Sequence, residues 1–498
     1  MAKVKVYVET IASRPHGEAM LNFASLSMQP LEAVRSSEKT VADLSGFGLE
    51  VVSDSPPVPM YSQDVVDDDS KGFGTFGIGE ENPDVKAESM VVLCEVDAGK
   101  LEKLKGREGI KVFGFLEPQL YNNTCSSCGG SSMSGGDFEV AGTPIPADTH
   151  PFDLVSMAGG LDCRPFRPGV PLSTIRELLA VGQPWKDGFS GQNTIVAIVD
   201  EGVNRFYPVI GGGATPAAPP PGSAPITSHG SMCAADVQVA APFVRFLDYP
   251  IFDRTGRGLD PLPTWQMILN QRRLNGTPHL ANNSYGFYSI PDASLNTAAT
   301  DPNHPVNRAI RSVVAAGIAC FFAAGNCGNP CPSLRCNNPS GLATPTAVPI
   351  NGSNSLADVV TVAAVNSRRE RIGYSSQGLG NFEPKKPDLA AYSHFFGNFG
   401  PGRPGGNQVP FDNGTSASTP VATGVAALLL SAFPNLLPSQ LKDVLISAAI
   451  NLGQPGWDAD TGWGVISAGA AYANLRFAPV PAKPAPASPV PARRRPDR

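Results

Sequence analysis

The chain has 498 residues, more than one ordinary domain holds, and 42% of them are hydrophobic, which is enough for a large core. A net charge of −6 is small for this length and excludes the strongly basic composition of many nucleic-acid-binding proteins. The first ten residues lack the apolar block of a secretory signal, and no apolar run reaches the roughly 18 residues of a membrane span. We therefore expect a cytoplasmic protein of two or three units without nucleic-acid or membrane partners.

The first 121 residues are predicted to alternate between strands and helices. In chain order, the patterns predict a strand at 1–10, a helix near 17–26, strands at 49–53 and 90–96, a helix at 97–108 capped by Asp97, and a strand at 110–115. This order, β-α-β-β-α-β, is that of a small α+β ferredoxin-like domain. The proline-containing and acidic stretch at 54–88 is predicted to be a long loop between the middle strands.

Composition divides the rest of the chain into three parts. Residues 122–169 are rich in Gly, Ser and Pro and are predicted to be a linker. Residues 477–498 are rich in Pro and Ala and end in basic residues, which is typical of a disordered tail. Between them, 170–476 alternates apolar runs with amphipathic stretches. This pattern predicts an α/β domain with a parallel sheet flanked by helices.

Four polar residues stand at the ends of apolar segments, where parallel sheets place their functional sites. Asp200 ends the run TIVAIVD, and His229 with its following glycine begins a helix of small residues. Asn326 ends the run GIACFFAAGN, and Ser416 follows a glycine at the start of a long apolar helix. Taken singly, each residue is commonly a turn former or a helix cap.

Ser416 has the strongest local pattern, NGTSASTPVATGVAALLLSAF. At the start of a helix its backbone N–H has no acceptor within the helix, and the positive end of the helix dipole favours a developing oxyanion. Pro420 is predicted to lie near the first turn, where a missing N–H costs least. The Asn326 amide is suited to donate to the same oxyanion, because acyl transfer needs two such donors.

Together, the three reactive residues occur in the order Asp, His, Ser, one of three orders known for this catalytic triad. The motifs VAIVDEGV, HGSMCAA, AAGN and GTSASTP resemble those of the subtilisin-like (subtilase) family of serine peptidases, peptidase family S8. NNSYG, at 282–286, is similar to the family's strand that pairs with the substrate backbone. The resemblance covers about 170–476.

The resemblance implies a serine endopeptidase that acts on protein or peptide substrates. His229 would take the Ser416 proton, Asp200 would hold the imidazole, and Asn326 would complete the oxyanion hole. No cofactor is required and no metal ligand set is predicted, but the sequence leaves open whether a structural calcium ion binds. The residues implied in substrate binding are Ser284, Tyr285, Gly286, Ala323, Ala324 and Gly325.

The N-terminal unit resembles the small propeptide that many subtilases carry as a folding chaperone and inhibitor. We therefore expect an autoprocessed zymogen whose own N-terminal domain is an intramolecular inhibitor, with self-cleavage between about Leu116 and His150. The alternative is an unrelated accessory domain that recruits substrate. One departure from the family is Glu201, which stands where Thr or Ser is usual and places a second carboxylate near the triad.

Nine cysteines cannot all pair within one chain. Two groups stand out, Cys125 with Cys128, and Cys327 with Cys331 and Cys336. Free or locally paired thiols in loops fit them better than a zinc site, because the groups are far apart in sequence and neither has an adjacent histidine.

Two alternative functions are open. Sedolisin-like peptidases share a similar serine motif but use a Glu–Asp pair in place of His and an Asp at the oxyanion position. Glu201 is the one feature that supports this reading, while His229 and Asn326 oppose it. The other alternative is a catalytically silent relative that serves as a binding module, which the presence of all four catalytic residue types disfavours.

Overall fold

The computed structural model describes residues 3–11, 44, 49–53, 55–61, 87–107, 109–120, 169–286, 296–328, 350–453 and 455–477. The predicted helix near 17–26, the linker at 122–168 and the tail after 477 lie outside these residues. Among the cysteines, Cys125, Cys128, Cys163, Cys331 and Cys336 are also outside them.

The strands of the described residues are β1 (Lys3–Ile11), β2 (Glu50–Val51), β3 (Val58–Tyr61), β4 (Ala87–Asp97), β5 (Ile110–Gly114), β6 (Gln119–Leu120), β7 (Ile195–Asp200), β8 (Val209–Gly212), β9 (Arg245–Pro250), β10 (Leu280–Asn283), β11 (Tyr285–Gly286), β12 (Ala319–Ala323), β13 (Val360–Val365) and β14 (Leu389–Tyr392). The helices are α1 (Leu101–Lys105), α2 (Leu172–Leu179), α3 (Gly182–Lys186), α4 (His229–Val237), α5 (Leu262–Asn275), α6 (Pro305–Ala315), α7 (Thr415–Ala432), α8 (Pro438–Ser447) and α9 (Ala468–Phe477). Short 3-10 turns lie at Ala98–Lys100 and Gly352–Ser355.

The N-terminal strands form one antiparallel sheet in the order β2-β4-β1-β5, with β3 also paired to β4. Alternation along β1 divides its side chains between two cores. Val6 and Val8 pack under the sheet, whereas Tyr7 belongs to a second cluster that includes residues of the C-terminal part. Because the first predicted helix lies outside the described residues, the full ferredoxin-like arrangement stays a prediction.

Two details of the N-terminal prediction are wrong. The stretch at 54–88 is not all loop, because Val58–Tyr61 forms β3, whose Val58 and Met60 are buried. The prolines in this stretch made it resemble a loop, because proline cannot donate a backbone hydrogen bond. Pro59 is tolerated in β3 because β3 lies at an edge of the sheet. The helix predicted at 97–108 is shorter, a 3-10 turn at Ala98–Lys100 followed by α1, which ends at Lys105, and the side chain of Asp97, although at the N-cap position, makes no capping hydrogen bond.

The C-terminal part contains a seven-stranded parallel sheet in the order β14-β13-β12-β10-β7-β9-β8. All six residues of β7 are buried, and the five apolar ones alternate between two hydrophobic clusters on opposite faces. A strand that is apolar on both faces requires cover on both sides, which the helices provide. The predicted α/β class with a parallel sheet flanked by helices is confirmed.

Helix α7 is the central helix of this domain and packs against α4 and β13. Sixteen of its residues, from Thr415 to Leu430, are buried. Among the described residues it is the one helix with the length and hydropathy to cross a membrane, and 89% of that window is buried inside the protein. Its apolar character is therefore accounted for by core packing.

Candidate active site

Asp200 and His229 are brought together by the end of a strand and the start of a helix. Asp200 is the last residue of β7 and His229 is the first residue of α4. The Nδ1 atom of His229 lies 2.8 Å from Oδ1 of Asp200. Asp200 is fully buried and the His229 side chain is 11% exposed. The contact fixes the orientation of the imidazole ring, with Nδ1 toward the carboxylate.

The glycine after His229 is required by the close approach of α4 to the loop after β7. A Cβ atom on Gly230 would lie 2.4 Å from the carbonyl oxygen of Gly202. No real Cβ makes so short a contact, so any other residue would push the histidine helix away from Asp200. The glycine after His229 therefore allows α4 to lie close enough for His229 to contact Asp200.

Ser416 is the second residue of α7, and its Oγ donates to the backbone oxygen of Ser284 over 3.1 Å. Pro420 is the sixth residue of the helix, so the prediction that it lies near the first turn is wrong. A residue at this position normally donates its N–H to the carbonyl of Ser416. Here the Ser284 hydroxyl donates to that carbonyl over 3.0 Å, which compensates for the missing bond.

Cys233, one helical turn after His229, is a contact that sequence reasoning missed. Its Sγ lies 3.7 Å from Oδ2 of Asp200, 3.9 Å from Nδ1 of His229 and 3.7 Å from the carbonyl oxygen of Ser416. All three predicted triad residues thus surround one buried thiol. Burial raises the pKa of Cys233 well above its usual value, and the neighbouring Asp200 charge raises it further, so the group is a neutral thiol.

Asn326 follows β12 and is fully buried. Its Oδ1 accepts from the backbone N–H of Thr415 over 3.0 Å and from the Thr415 hydroxyl over 2.9 Å. Because a backbone N–H is only a donor, this contact assigns the oxygen end of the amide and makes Nδ2 the donor end. The next residue, Cys327, is in a disulfide whose partner lies outside the described residues.

The segment that was predicted to pair with substrate is paired with the chain itself. Tyr285 and Gly286 form β11, which is antiparallel to Leu120 and Gln119 of β6. Asn354, another residue that sequence reasoning missed, donates from Nδ2 to the carbonyl oxygens of Tyr285 and Ala323, each over 2.8 Å. It joins the segment at 284–286 to the predicted segment of Ala323, Ala324 and Gly325.

Two buried carboxyl groups connect the elements that carry His229 and Ser416. Asp236 lies at the other end of α4, and Asp412 is four residues before Ser416. Burial raises the pKa of Asp412 to about 6, but the hydrogen bonds from Asp236 and from the backbone N–H groups of Asn398 and Phe399 oppose that rise and favour its ionised form. Burial raises the pKa of Asp236 well above its usual value, the Asp412 charge and hydrogen bond raise it further, and Arg403 opposes the shift. Asp236 is therefore the protonated partner.

This pair predicts a pH-dependent stability. A carboxyl group whose pKa is raised by folding contributes fully below its unfolded value near 3.9, and the contribution falls as the pH rises toward the folded value. Asp236→Asn keeps a donor toward Asp412 and removes the titration. We expect its free energy of unfolding, relative to the original chain, to increase by about 1.4 kcal/mol per pH unit above pH 4, until the folded pKa is reached.

Chemical unfolding at several pH values between 5 and 9 tests this expectation. Asp358→Asn, at an exposed position, is the matched control and should show no such trend. A difference between Asp236→Asn and the original chain that stays constant with pH would contradict the assignment of the proton to Asp236.

Comparison with known proteins identifies the family. The family model described as "Subtilase family" matches residues 191–464, more than half of the chain. Subtilisin E of Bacillus subtilis (strain 168) is 28% identical over 284 residues, which cover 53% of this chain and 63% of that relative. Subtilisin of Bacillus pumilus is also 28% identical over 284 residues, covering 87% of its own length. The match to subtilisin E therefore covers less than two thirds of the length of that relative.

One solved structure supports the subtilisin-like fold. The crystal structure of fervidolysin from Fervidobacterium pennivorans matches with a TM-score of 0.55 and 20% identity, and covers 97% of this chain and 62% of that one. On the family model and the arrangement of its motifs, the chain belongs to the subtilase family of serine peptidases.

Proposed function

We propose that the chain is a serine endopeptidase that hydrolyses peptide bonds through Asp200, His229 and Ser416. The observation that carries the proposal is the 2.8 Å contact between His229 Nδ1 and the buried Asp200 carboxylate, with Ser416 on the same buried thiol. His229 Nε2 removes the Ser416 hydroxyl proton while Oγ bonds to the peptide carbonyl carbon. The histidine then protonates the leaving amine, and water releases the acyl group by the same steps in reverse.

Negative charge on the carbonyl oxygen develops where two donors converge in this proposal. One is the Ser416 backbone N–H, which lies outside the helical hydrogen-bond ladder because it is in the first turn of α7. The other is Nδ2 of Asn326, whose opposite end is held by Thr415. Since Thr415 adjoins Ser416, one residue sets the spacing between nucleophile and oxyanion donor.

Fluorophosphonate labelling and peptide cleavage together test the proposed activity. An active enzyme should be labelled at Ser416 and should cleave members of a peptide library, whose sequences would reveal the preferred substrate. A folded protein that does neither would instead be the catalytically silent relative. The sedolisin-like alternative has less support. Glu201 was the one feature in its favour, and its carboxylate instead accepts the backbone N–H of His229 over 2.9 Å.

Substitutions of Asn326 test the oxyanion role. Asn326→Ala should lower turnover by about 10²–10³-fold with KM nearly unchanged, because the donor acts mainly in the transition state. Asn326→Asp is a sharper variant, since it keeps the oxygen acceptor for Thr415 and loses the amide donor. It should therefore show a similar loss in steady-state kinetics. A raised KM with normal turnover in either variant would contradict the role.

We further propose that the N-terminal residues are an intramolecular inhibitor. Its first support is the pairing of Gln119 and Leu120 with Tyr285 and Gly286, because extended peptides bind peptidases by adding a strand in this way. Leu120 is buried in the same hydrophobic cluster as Tyr285. A covalently attached segment has a high effective concentration and occupies the site even when its intrinsic affinity is modest.

Buried polar contacts support a stable docking of the N-terminal sheet. The Tyr7 hydroxyl donates to Oδ1 of Asp260 over 2.5 Å, and Ser55 donates to its other oxygen. Glu9, 2% exposed, accepts from Arg308 over 2.7 Å. Each of the buried carboxylates of Glu9 and Asp260 thus accepts a hydrogen bond from the other side of the interface, which offsets part of the cost of burying its charge.

His304 lies in the same interface and contacts residues of the N-terminal sheet. Its Nε2 lies 3.1 Å from the carbonyl oxygen of Gly114, and its ring packs edge-on against Tyr7 and Phe113 at 5.2 and 5.5 Å. Burial lowers the pKa of His304 to about 3, so the ring is neutral and Nε2 carries the donated hydrogen. Such specific contacts favour an inhibitor over an unrelated accessory domain.

A further inference from the structure

Glu201 is bound to both members of the acid–base pair. Its backbone N–H donates to Oδ1 of Asp200 over 2.8 Å, and its Oε2 accepts the backbone N–H of His229 over 2.9 Å. The same Oδ1 atom of Asp200 contacts His229 Nδ1 at 2.8 Å. The three hydrogen bonds close a ring that passes through the carboxylate of Asp200, the whole of His229 and the whole of Glu201.

The Glu201 carboxylate serves a donor that the helix itself leaves without an acceptor. His229 is the first residue of α4, so its N–H is one of the four that lack an intrahelical partner. The cap residue Ser228 is already used, because its Oγ accepts from Ser231 N over 3.1 Å. A carboxylate is the strongest acceptor for the remaining N–H, since it also interacts favourably with the positive end of the helix.

The ring restricts motion of the histidine at two points. The Asp200 contact orients the imidazole, while the Glu201 contact holds the backbone atom from which the side chain extends. A change in either contact would move Nε2 relative to Ser416. Proton transfer is sensitive to displacements on the order of 1 Å. Glu201 is half-buried and its carboxylate is bound to the His229 backbone, so its charge also favours the imidazolium that forms during acyl transfer.

We propose that Glu201 is a positioning residue for His229, acting through the hydrogen bond to the His229 backbone and through its charge. The proposal rests on the proposed peptidase function. The titratable side chains in contact with His229 include Asp200 and Cys233 at the imidazole and Glu201 at the backbone N–H. Of these, Glu201 can be replaced without removing a reacting atom or the thiol beneath the triad.

Steady-state kinetics of Glu201→Ala and Glu201→Gln test the proposal, with an uncharged peptide substrate so that no substrate charge interacts with position 201. Glu201→Ala should lower kcat about 10-fold or more with KM within about twofold, the effect of losing one charged hydrogen bond. Glu201→Gln keeps an oxygen acceptor and should recover most of that loss. Because it lacks the charge, the acidic limb of its kcat/KM profile should move to lower pH.

The design separates the possible failures. Rates are expressed per active site, counted by fluorophosphonate labelling, so that misfolded molecules do not enter. Glu177→Ala, at an exposed position of α2, is the control for removing a glutamate and should match the original chain. If Glu201→Ala keeps full kcat, or if Glu201→Gln neither recovers kcat nor moves the acidic limb, the proposal is overturned. An original chain that cleaves nothing would overturn the proposed function instead.

Discussion

Replacing Ser416 by alanine is expected to lower the turnover of peptide hydrolysis by about 10⁶-fold, the scale known for the nucleophile of subtilisin. His229→Ala should cost about as much, and Asp200→Ala somewhat less, about 10⁴-fold, because a histidine without its acid still removes some protons. The residues act as one unit around Cys233, so a double variant should lose little more than Ser416→Ala alone. Active-site labelling and initial rates measure the effect.

A matched control lies in the same helix. Ser418 is also buried in the first turn of α7, but its hydroxyl donates to the Thr415 carbonyl and does not face the proposed site. Ser418→Ala should therefore keep turnover within about tenfold of the original chain. Thermal unfolding should show that Ser416→Ala remains folded. More than a few per cent of the original activity in folded Ser416→Ala would refute its assignment as nucleophile.

The second large effect is expected on the covalent state of the chain. Purified protein should cleave itself between about Leu116 and His150, because β6 leads directly from the substrate-like pairing with Tyr285 and Gly286 into this stretch. N-terminal sequencing of the purified protein identifies the site. Ser416→Ala should remain a single uncleaved chain, since the nucleophile that makes the cut is absent.

Inhibition by the released N-terminal fragment is the companion measurement. Added to the processed enzyme, the fragment should inhibit, and Glu9→Ala in the fragment should weaken that inhibition about 30-fold or more, because it leaves Arg308 facing a buried site without its partner. Lys103→Ala, at an exposed position of α1, is the control. A chain that stays intact and fully active would show that residues 1–121 are an accessory domain.

Local patterns in the sequence were sufficient to predict the parallel sheet and to select the residues of the candidate triad. The run at 194–200 is apolar on both faces, so it predicted a buried parallel strand, and its terminal Asp200 falls where such strands end. Ser416 and His229 are each identified by a glycine and a following helix of small residues, which are features within a few positions of the residue itself. Patterns within a few neighbouring residues therefore predicted the strands and helices and the candidate triad.

Where local patterns conflict with the fold, the sequence misled. Prolines made the stretch at 56–59 resemble a loop, but the edge of the sheet tolerates Pro59 and the core takes up Val58. Pro420 likewise suggested the first turn of a helix, and it lies inside the helix because the Ser284 hydroxyl supplies a hydrogen bond to the carbonyl of Ser416. In both cases a partner distant in sequence offsets the local cost.

Only the tertiary structure decided which side chains support the site. Cys233 contacts the Ser416 carbonyl across 183 residues, Asn354 joins Tyr285 and Ala323, and burial together with the Asp412 charge raises the pKa of Asp236. None of these has a local signature, since a cysteine in a small-residue helix or an asparagine in a turn is common in any protein. Sequence patterns report the periodicity of one segment. Hydrogen bonds and pKa shifts depend instead on which distant segments the fold brings together, to within about 3 Å between donor and acceptor atoms for a hydrogen bond.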